Sequence, residues 1–294
     1  MISMTSRFLF VALLMLSAQV RADDHPLTLW LVEGAANRVY LLGSVHLLRQ
    51  SDYPLPSRID AAYEDADKLV MELDMDDLDP VATQSLVSSL GMLPEGSSLA
   101  DLVGSEVYSQ AQELAAGLDL PLHLLSSVEP WLAAITIEQL ALTRIGFNPA
   151  FGVESHLAGK AGSDGKDILG LERIEEQLSF LDTLSLDAQR ALLLQTLVDS
   201  AELESTMDEL IDAWRNGRID ELEDAMLNDM LEFPELYQAL VVSRNRAWTE
   251  RIEALLGERT DYLVVVGALH LIGDDGLPAL LQRRGFAPVQ LHNE

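Results

Sequence analysis

The sequence has 294 residues, 48% of them hydrophobic, with 48 acidic against 19 basic side chains, a formal net charge of −29 and no cysteine. A chain of this length and apolar content suits one large domain or two closely packed ones. Its charge argues against nucleic acid and anionic membrane surfaces as partners, and the absence of cysteine excludes disulfides and thiolate metal ligands.

The first segment reads as a targeting signal. Arg7 precedes the apolar run FLFVALLMLSAQV, and small residues follow at Val20 and Ala22. The run is shorter than the roughly 20 apolar residues of a membrane helix and matches an exported precursor cleaved after Ala22. Residues 1–22 are therefore expected to be a signal peptide, which predicts a periplasmic or secreted protein with no membrane span in the mature chain.

Two apolar runs follow, LTLWLVEG and NRVYLLGSVH, and the Gly34–Asn37 turn between them predicts a hairpin. PSRIDAAYEDADK predicts a helix and KLVMELD a strand. The acidic DMDDLDP lacks the Gly and closing Glu of a calcium loop and reads as a solvated turn. Pro80 to Leu118 has a helical pattern broken at PEGSS, and PLHLLSS predicts a short strand. VEPWLAAITIEQLALTRIG predicts a long helix ending at Gly146. GVESHLAGKAGSDG predicts a short one with Glu154 in its first turn, and KDILGLE a buried strand. Amphipathic helices dominate over about 175–256, after which DYLVVVGALH, LPALLQRRG and APVQLH predict strand, helix and strand.

This order predicts an α/β fold. A central mainly parallel or mixed sheet would carry flanking helices and a helical insertion in a single domain over residues 23–294. In an open α/β sheet the ligand crevice lies beyond the carboxyl ends of the strands. Four residues stand there: His46 after YLLGSV, Glu72 ending KLVME, Glu172 ending DILGLE and His270 after LVVVGAL. Both histidines close a G-x-x-H motif, in which Gly43 and Gly267 permit a sharp turn or a close approach. Each motif is followed by a loop, Leu-Pro, a helix and a strand, a faint internal repeat. Two imidazoles and two carboxylates at one sheet edge suit a divalent metal such as Mn, Co, Zn or Fe. Arg244, on the predicted helix LVVSRNRAW, reads either as a snorkelling surface cation or as a group directed into the cleft. HExxH, GxSxG, GxGxxG and GxxxxGK are all absent, so zinc-protease helices, nucleophile elbows and nucleotide loops find no support.

The ordered set YLLGSVH, VMELD, PEGSSLADL, EPW, GVESHL, ILGLERIEEQLSF, SRNRAW and VVVGALHLIGDDGLPALLQRRGF resembles the TraB/GumN (Tiki-like) family through essentially the whole mature chain. The resemblance implies an α/β fold shared with erythromycin-esterase-like and ChaN-like proteins. For Tiki members it implies a metal-dependent protease using the two G-x-x-H histidines and an acidic residue. That would fall on His46, Glu72 and His270, with Glu172, Arg244 and Asn245 as further family positions.

The expected function is a metal-dependent hydrolase, a peptidase acting on a peptide or small-molecule substrate. His46 and His270 would be ligands, Glu72 or Glu172 the third ligand or general base, and Arg244 an oxyanion or carboxylate partner. Two alternatives stand beside it. One is non-catalytic binding of a haem-type ligand or a regulatory role, and the other a metal-independent esterase-like hydrolase using a His and a Glu.

Overall fold

The computed structural model describes residues 25–293, so the segment read as a signal peptide lies outside the described residues. Its frame is built from β1 (His25–Glu33), β2 (Arg38–Ser44), β3 (Lys68–Met71), β4 (Ile168–Gly170), β5 (Tyr262–Gly267) and β6 (Val289–Asn293). These form a six-stranded sheet in the order β4-β3-β5-β2-β1-β6. β1 and β2 make the expected hairpin, and β1 also pairs antiparallel with β6. β2, β5, β3 and β4 run parallel, with Leu42 opposite Val265 and Met71 opposite both Val265 and Gly170. The sheet is therefore mixed, with a parallel half.

All six residues of β5 are buried, because alternate side chains enter different cores. Leu263 and Val265 join Leu42, Leu69, Met71 and Ile59 on one face. Val264 and Val266 join Leu41, Val70, Trp248 and Leu277 on the other. The β2-to-β3 connection runs through the helix Ser57–Asp65 on the first face, and β5-to-β6 through Leu277–Arg283 on the second. The two units of the sequence repeat thus leave the sheet toward opposite faces, and a crevice opens between their loops. A third apolar cluster, including Leu99, Ala115, Ile137, Leu193 and Leu197, packs helices against one another away from the sheet. No helix among the described residues is long and apolar enough to cross a membrane.

Two local expectations are corrected. PLHLLSS is not a strand but carries a 3-10 turn, Leu122–Leu125, because Leu122 packs among helices of the third cluster, where no sheet edge is available. KDILGLE is not buried throughout. β4 is the edge strand, and Leu169 is 39% exposed.

Candidate functional site

The carboxyl ends of the four parallel strands lie along one edge of the sheet. His46 stands just beyond β2, Glu72 directly beyond β3, Glu172 just beyond β4, and His270 in the 3-10 turn Ala268–Leu271 after β5. The sheet order sets the two G-x-x-H loops side by side, with the Glu72 loop next to that of His270. Arg244 enters from the opposite direction, in the first turn of the helix Ser243–Leu256. It is only 8% exposed, so it is a core cation and not a snorkelling surface one.

Arg244 ties the carboxylates together. Its Nη2 donates to Glu72 Oε2 at 2.6 Å and to Glu172 Oε1 at 2.7 Å, and its Nε donates to Glu172 Oε2 at 3.1 Å. Nη1 reaches His270 Nε2 and the carbonyl oxygen of Leu240, each at 3.1 Å. Leu240 belongs to a π-helical turn, Gln238–Val242, immediately before Arg244. A wide turn shifts backbone hydrogen bonds by one residue, and here the guanidinium takes the Leu240 carbonyl. The guanidinium also lies 4.5 Å above the Trp248 ring.

The tautomer of His270 follows from its neighbours. Asn245 Nδ2 donates to the carbonyls of His270 and Asp275, which leaves Asn245 Oδ1 to accept from His270 Nδ1 at 2.7 Å. The Nε2 lone pair therefore faces Arg244. Burial lowers the imidazole to about 3, so His270 is neutral near pH 7.

His46 is in the opposite state. Glu154, in the first turn of the helix Val153–Asp164, lies 2.7 Å from its Nδ1 and also accepts the Ser44 hydroxyl. The charge of Glu154 pushes the His46 imidazole up to about 9. Its side chain is 59% exposed to the cleft, so solvent tempers that attraction, but the direction stands on the contact itself. Glu154 is partly buried, which alone would raise its carboxyl. The charge of His46 and the hydrogen bonds from His46 and Ser44 bring it below the ordinary range. Its second oxygen, Oε2, is buried and has no hydrogen-bond partner among the described residues.

Burial would likewise raise Glu72, but His270, Arg244, His46 and the backbone N–H of Gly267 hold it low. Because His270 is neutral near pH 7, we assign the effect chiefly to Arg244. Glu72 Oε1 accepts the Gly267 N–H at 2.8 Å, and Gln177 donates to Oε2 at 3.2 Å. Glu172 goes the other way, its burial outweighing Arg244.

Gly267 matters for space. A Cβ there would stand 3.2 Å from His46 Nε2, 3.5 Å from Glu72 Oε1 and 3.7 Å from His270 Cδ2. The two histidines and the glutamate therefore converge on one point. Gly43 serves the close approach of β2 to its surroundings, since a Cβ there would sit 2.5 Å from Thr28 Cγ2.

As a metal centre this set does not fit. His46 Nε2 faces the common point, but His270 turns a ring carbon to it, with Nε2 engaged by Arg244, and both Glu72 oxygens hold hydrogen bonds. Among the described residues no group of three or more His, Asp or Glu side chains is arranged to hold an ion.

His46, Glu72, Glu172, His270 and Arg244, singled out in the sequence, thus lie in one cluster. Glu154, Gln177 and Ser44 join it without having been singled out. The signal available for Glu154 was the GVESHL segment, whose Gly152 abuts the His46 backbone so closely that a Cβ would meet the His46 carbonyl oxygen at 2.1 Å. Ser155 makes only a plain contact with the Pro149 carbonyl.

Comparison with known proteins gives a model of the TraB/PrgY/gumN family that matches residues 28–290. The uncharacterized protein YbaP of Escherichia coli is 26% identical, covering 83% of this chain and 87% of its own length. An uncharacterized protein of Treponema pallidum is 22% identical, over 87% of this chain and 80% of its own. Metalloprotease TIKI2 of Xenopus tropicalis is 22% identical, over 84% of this chain but 56% of its own length. No solved structure matches.

Proposed function

The chain belongs to the TraB/PrgY/gumN family, and from that premise we propose that it is a hydrolase of amide or ester bonds, acting as a peptidase at the strand-end crevice. The observation that carries this reading is a pair of histidines held in opposite settings within one cluster: His46 on the Glu154 carboxylate with Nε2 at the common point, and His270 buried between Asn245 and Arg244. The first setting favours the charged imidazole and the second the neutral one. Environments that push two like groups apart in pKa are how enzymes assign acid and base roles. The kinship to a protein named metalloprotease supports hydrolysis as the reaction class.

In this reading Glu154 holds His46 with Nε2–H toward the crevice, positioned to give its proton to the departing nitrogen or oxygen as the scissile bond breaks. Water adds to the carbonyl carbon and its proton passes to Glu72 or Glu172. Arg244, all of whose N–H groups are taken by Glu72, Glu172, Leu240 and His270, holds these carboxylates and His270 in register, and its charge, without a free N–H, offsets negative charge that develops nearby. Residues 1–22 support export, so the substrate would be met in the periplasm or outside the cell.

A metal-dependent form of the same hydrolysis is the second reading, favoured by the TIKI2 kinship. It needs His270 Nε2 and Glu72 to release Arg244. Incubation of the purified protein with a peptide mixture and a panel of esters, read by mass spectrometry, tests hydrolysis. Cleavage lost in His46→Ala is the expected result, and no cleavage of either class would sink it. Metal analysis divides the two forms. Activity of metal-free protein in EDTA supports the acid–base form, whereas stoichiometric Mn, Co, Zn or Fe, lost in His46→Ala and His270→Ala, supports the other. A Soret band on haem titration without hydrolysis would point instead to a binding protein.

A further inference from the structure

Cleavage after Ala22 leaves a chain that begins Asp23-Asp24-His25-Pro26. A histidine in third place behind a free amino terminus is a chelator by covalent structure alone. The α-amino nitrogen, the backbone nitrogens of the second and third residues and the imidazole Nδ1 can lie in one plane around an ion, joined by small, unstrained rings. Four nitrogens in a plane suit Cu(II) or Ni(II), and Cu(II) is the more tightly held of the two. Neither backbone nitrogen belongs to a proline, since Pro26 falls one place beyond the set. Asp23 and Asp24 lie outside the described residues and enter here by sequence alone.

The surroundings of His25 carry a second, independent observation. This half-buried residue opens β1 opposite Asn293 of β6. Its Nδ1 lies 2.9 Å from the carbonyl oxygen of Pro26, and its Nε2 stands 3.5 Å from Asn293 Nδ2, a weak contact. In that arrangement Nδ1 carries the ring proton and Nε2 a lone pair. The oxygen of the same carboxamide, Asn293 Oδ1, is buried and has no hydrogen-bond partner among the described residues. A buried acceptor left in this way is costly. The other tautomer of His25 gives it a donor: with the proton on Nε2 and the carboxamide turned about its own axis, Nε2–H meets Oδ1. The lone pair then passes to Nδ1, the nitrogen that the chelate needs. Metal-bound histidines ordinarily donate their other ring N–H to an oxygen of this kind.

We propose that the mature protein carries a Cu(II) site at its amino terminus, formed by the Asp23 amine, the Asp24 and His25 backbone nitrogens and His25 Nδ1, with Asn293 holding the ring through Nε2–H. The inference rests on cleavage after Ala22 and is independent of hydrolysis. The Asp23 ammonium and the two amides each give up a proton to solvent, so about three protons leave for each copper bound at pH 7. Copper enters and stays as Cu(II), with no electron transferred. His25 is the first partner in the β1–β6 register, so the metal disturbs one end of that ladder only.

Mass spectrometry of protein exported with its own leader into a bacterial periplasm fixes the first residue, and any residue but Asp23 overturns the proposal at that step. Protein prepared to begin at Asp23 is then titrated with copper sulfate in excess glycine, which strips weakly held copper. One equivalent should bind, turning the solution from blue to violet and releasing about three protons. One serine placed before Asp23 moves the imidazole out of third place and leaves every native side chain intact. That extension should abolish binding in glycine, as should His25→Ala. Asn293→Leu should weaken binding about tenfold, the scale of losing the hydrogen-bond partner of a metal ligand. Copper held equally by the extended or His25→Ala protein, or released protons numbering about one or fewer, would overturn the chelate. Undiminished binding in Asn293→Leu would overturn the part assigned to Asn293. No substrate enters the titration, so its result is separate from that of the cleavage assays.

Discussion

Glu154 Oε1 lies 2.7 Å from His46 Nδ1, and the same carboxylate accepts the hydroxyl of Ser44, the residue that ends β2. One carboxylate thus fixes both the orientation of the first G-x-x-H histidine and its proton. Removing its charge while keeping its shape, in Glu154→Gln, should bring the His46 titration from about 9 down toward its ordinary value of 6.5. Nuclear magnetic resonance of the imidazole measures this directly, and an unmoved midpoint would refute Glu154 as the cause. Because the folded value is the higher one, the stability His46 contributes is full below pH 6.5 and disappears as pH rises through about 9. Glu154→Gln should flatten that alkaline decline.

His270 should govern the acid side. Its folded value of about 3 lies below the ordinary 6.5, so the unfolded chain takes up a proton that the folded one refuses. Stability therefore falls as pH drops from about 6.5, with a slope approaching about 1.4 kcal/mol per pH unit for one proton. Carboxylates join chiefly near their ordinary 4.5, and His46, charged when folded and half protonated at pH 6.5 when unfolded, opposes the decline only at the top of this window, so His270 dominates below it. Urea titrations at pH 6.5 and 5 should show the decline in the natural protein and a smaller one in His270→Gln. Identical declines would rule His270 out as its source.

Arg244→Met should be costly, because it strands Glu72 and Glu172 in the interior without their shared cation. The expected loss is about 3–5 kcal/mol, the range for breaking a buried ion pair from one side. Adding Glu72→Gln and Glu172→Gln to Arg244→Met should recover part of it, since the orphaned charges go too. Chemical denaturation of the single and triple variants tests this, and a triple variant no more stable than the single one would contradict it.

Gly267→Ala separates function from folding. The φ of Gly267 is −51°, which alanine adopts without strain, yet the new methyl would stand 3.2 Å from His46 Nε2. We expect a folded protein whose hydrolytic activity falls by about a hundredfold, the scale of a small displacement of reacting groups. Full activity in a folded Gly267→Ala protein would place the reacting point elsewhere.

Much of the sheet was readable because YLLGSV, KLVM and LVVVG are apolar runs stopped at a glycine or an acid, and a strand buried on both faces must be written that way. The strand-end rule then led to His46, Glu72, Glu172 and His270. Glu154 was legible only through the GVESHL segment, since an acid in a helix's first turn is ordinarily a partner of the helix dipole and by itself carries no mark of a distant histidine. PLHLLSS was misread because a run so short has no period that separates strand from turn.

The wide turn at Gln238–Val242 has a consequence for how the chain tolerates change. It holds one residue more than a regular helix, so deleting any one of its five would let the segment close to α geometry. Because the extra residue is taken up within one turn, the helical stretches on either side would keep their phase after such a loss. What changes is local: the Leu240 carbonyl, which the Arg244 guanidinium now takes, would return to a helical N–H, and Arg244 would be left to Glu72, Glu172 and His270. A single-residue deletion in this stretch should therefore leave the fold in place and loosen one of the contacts that fix the guanidinium.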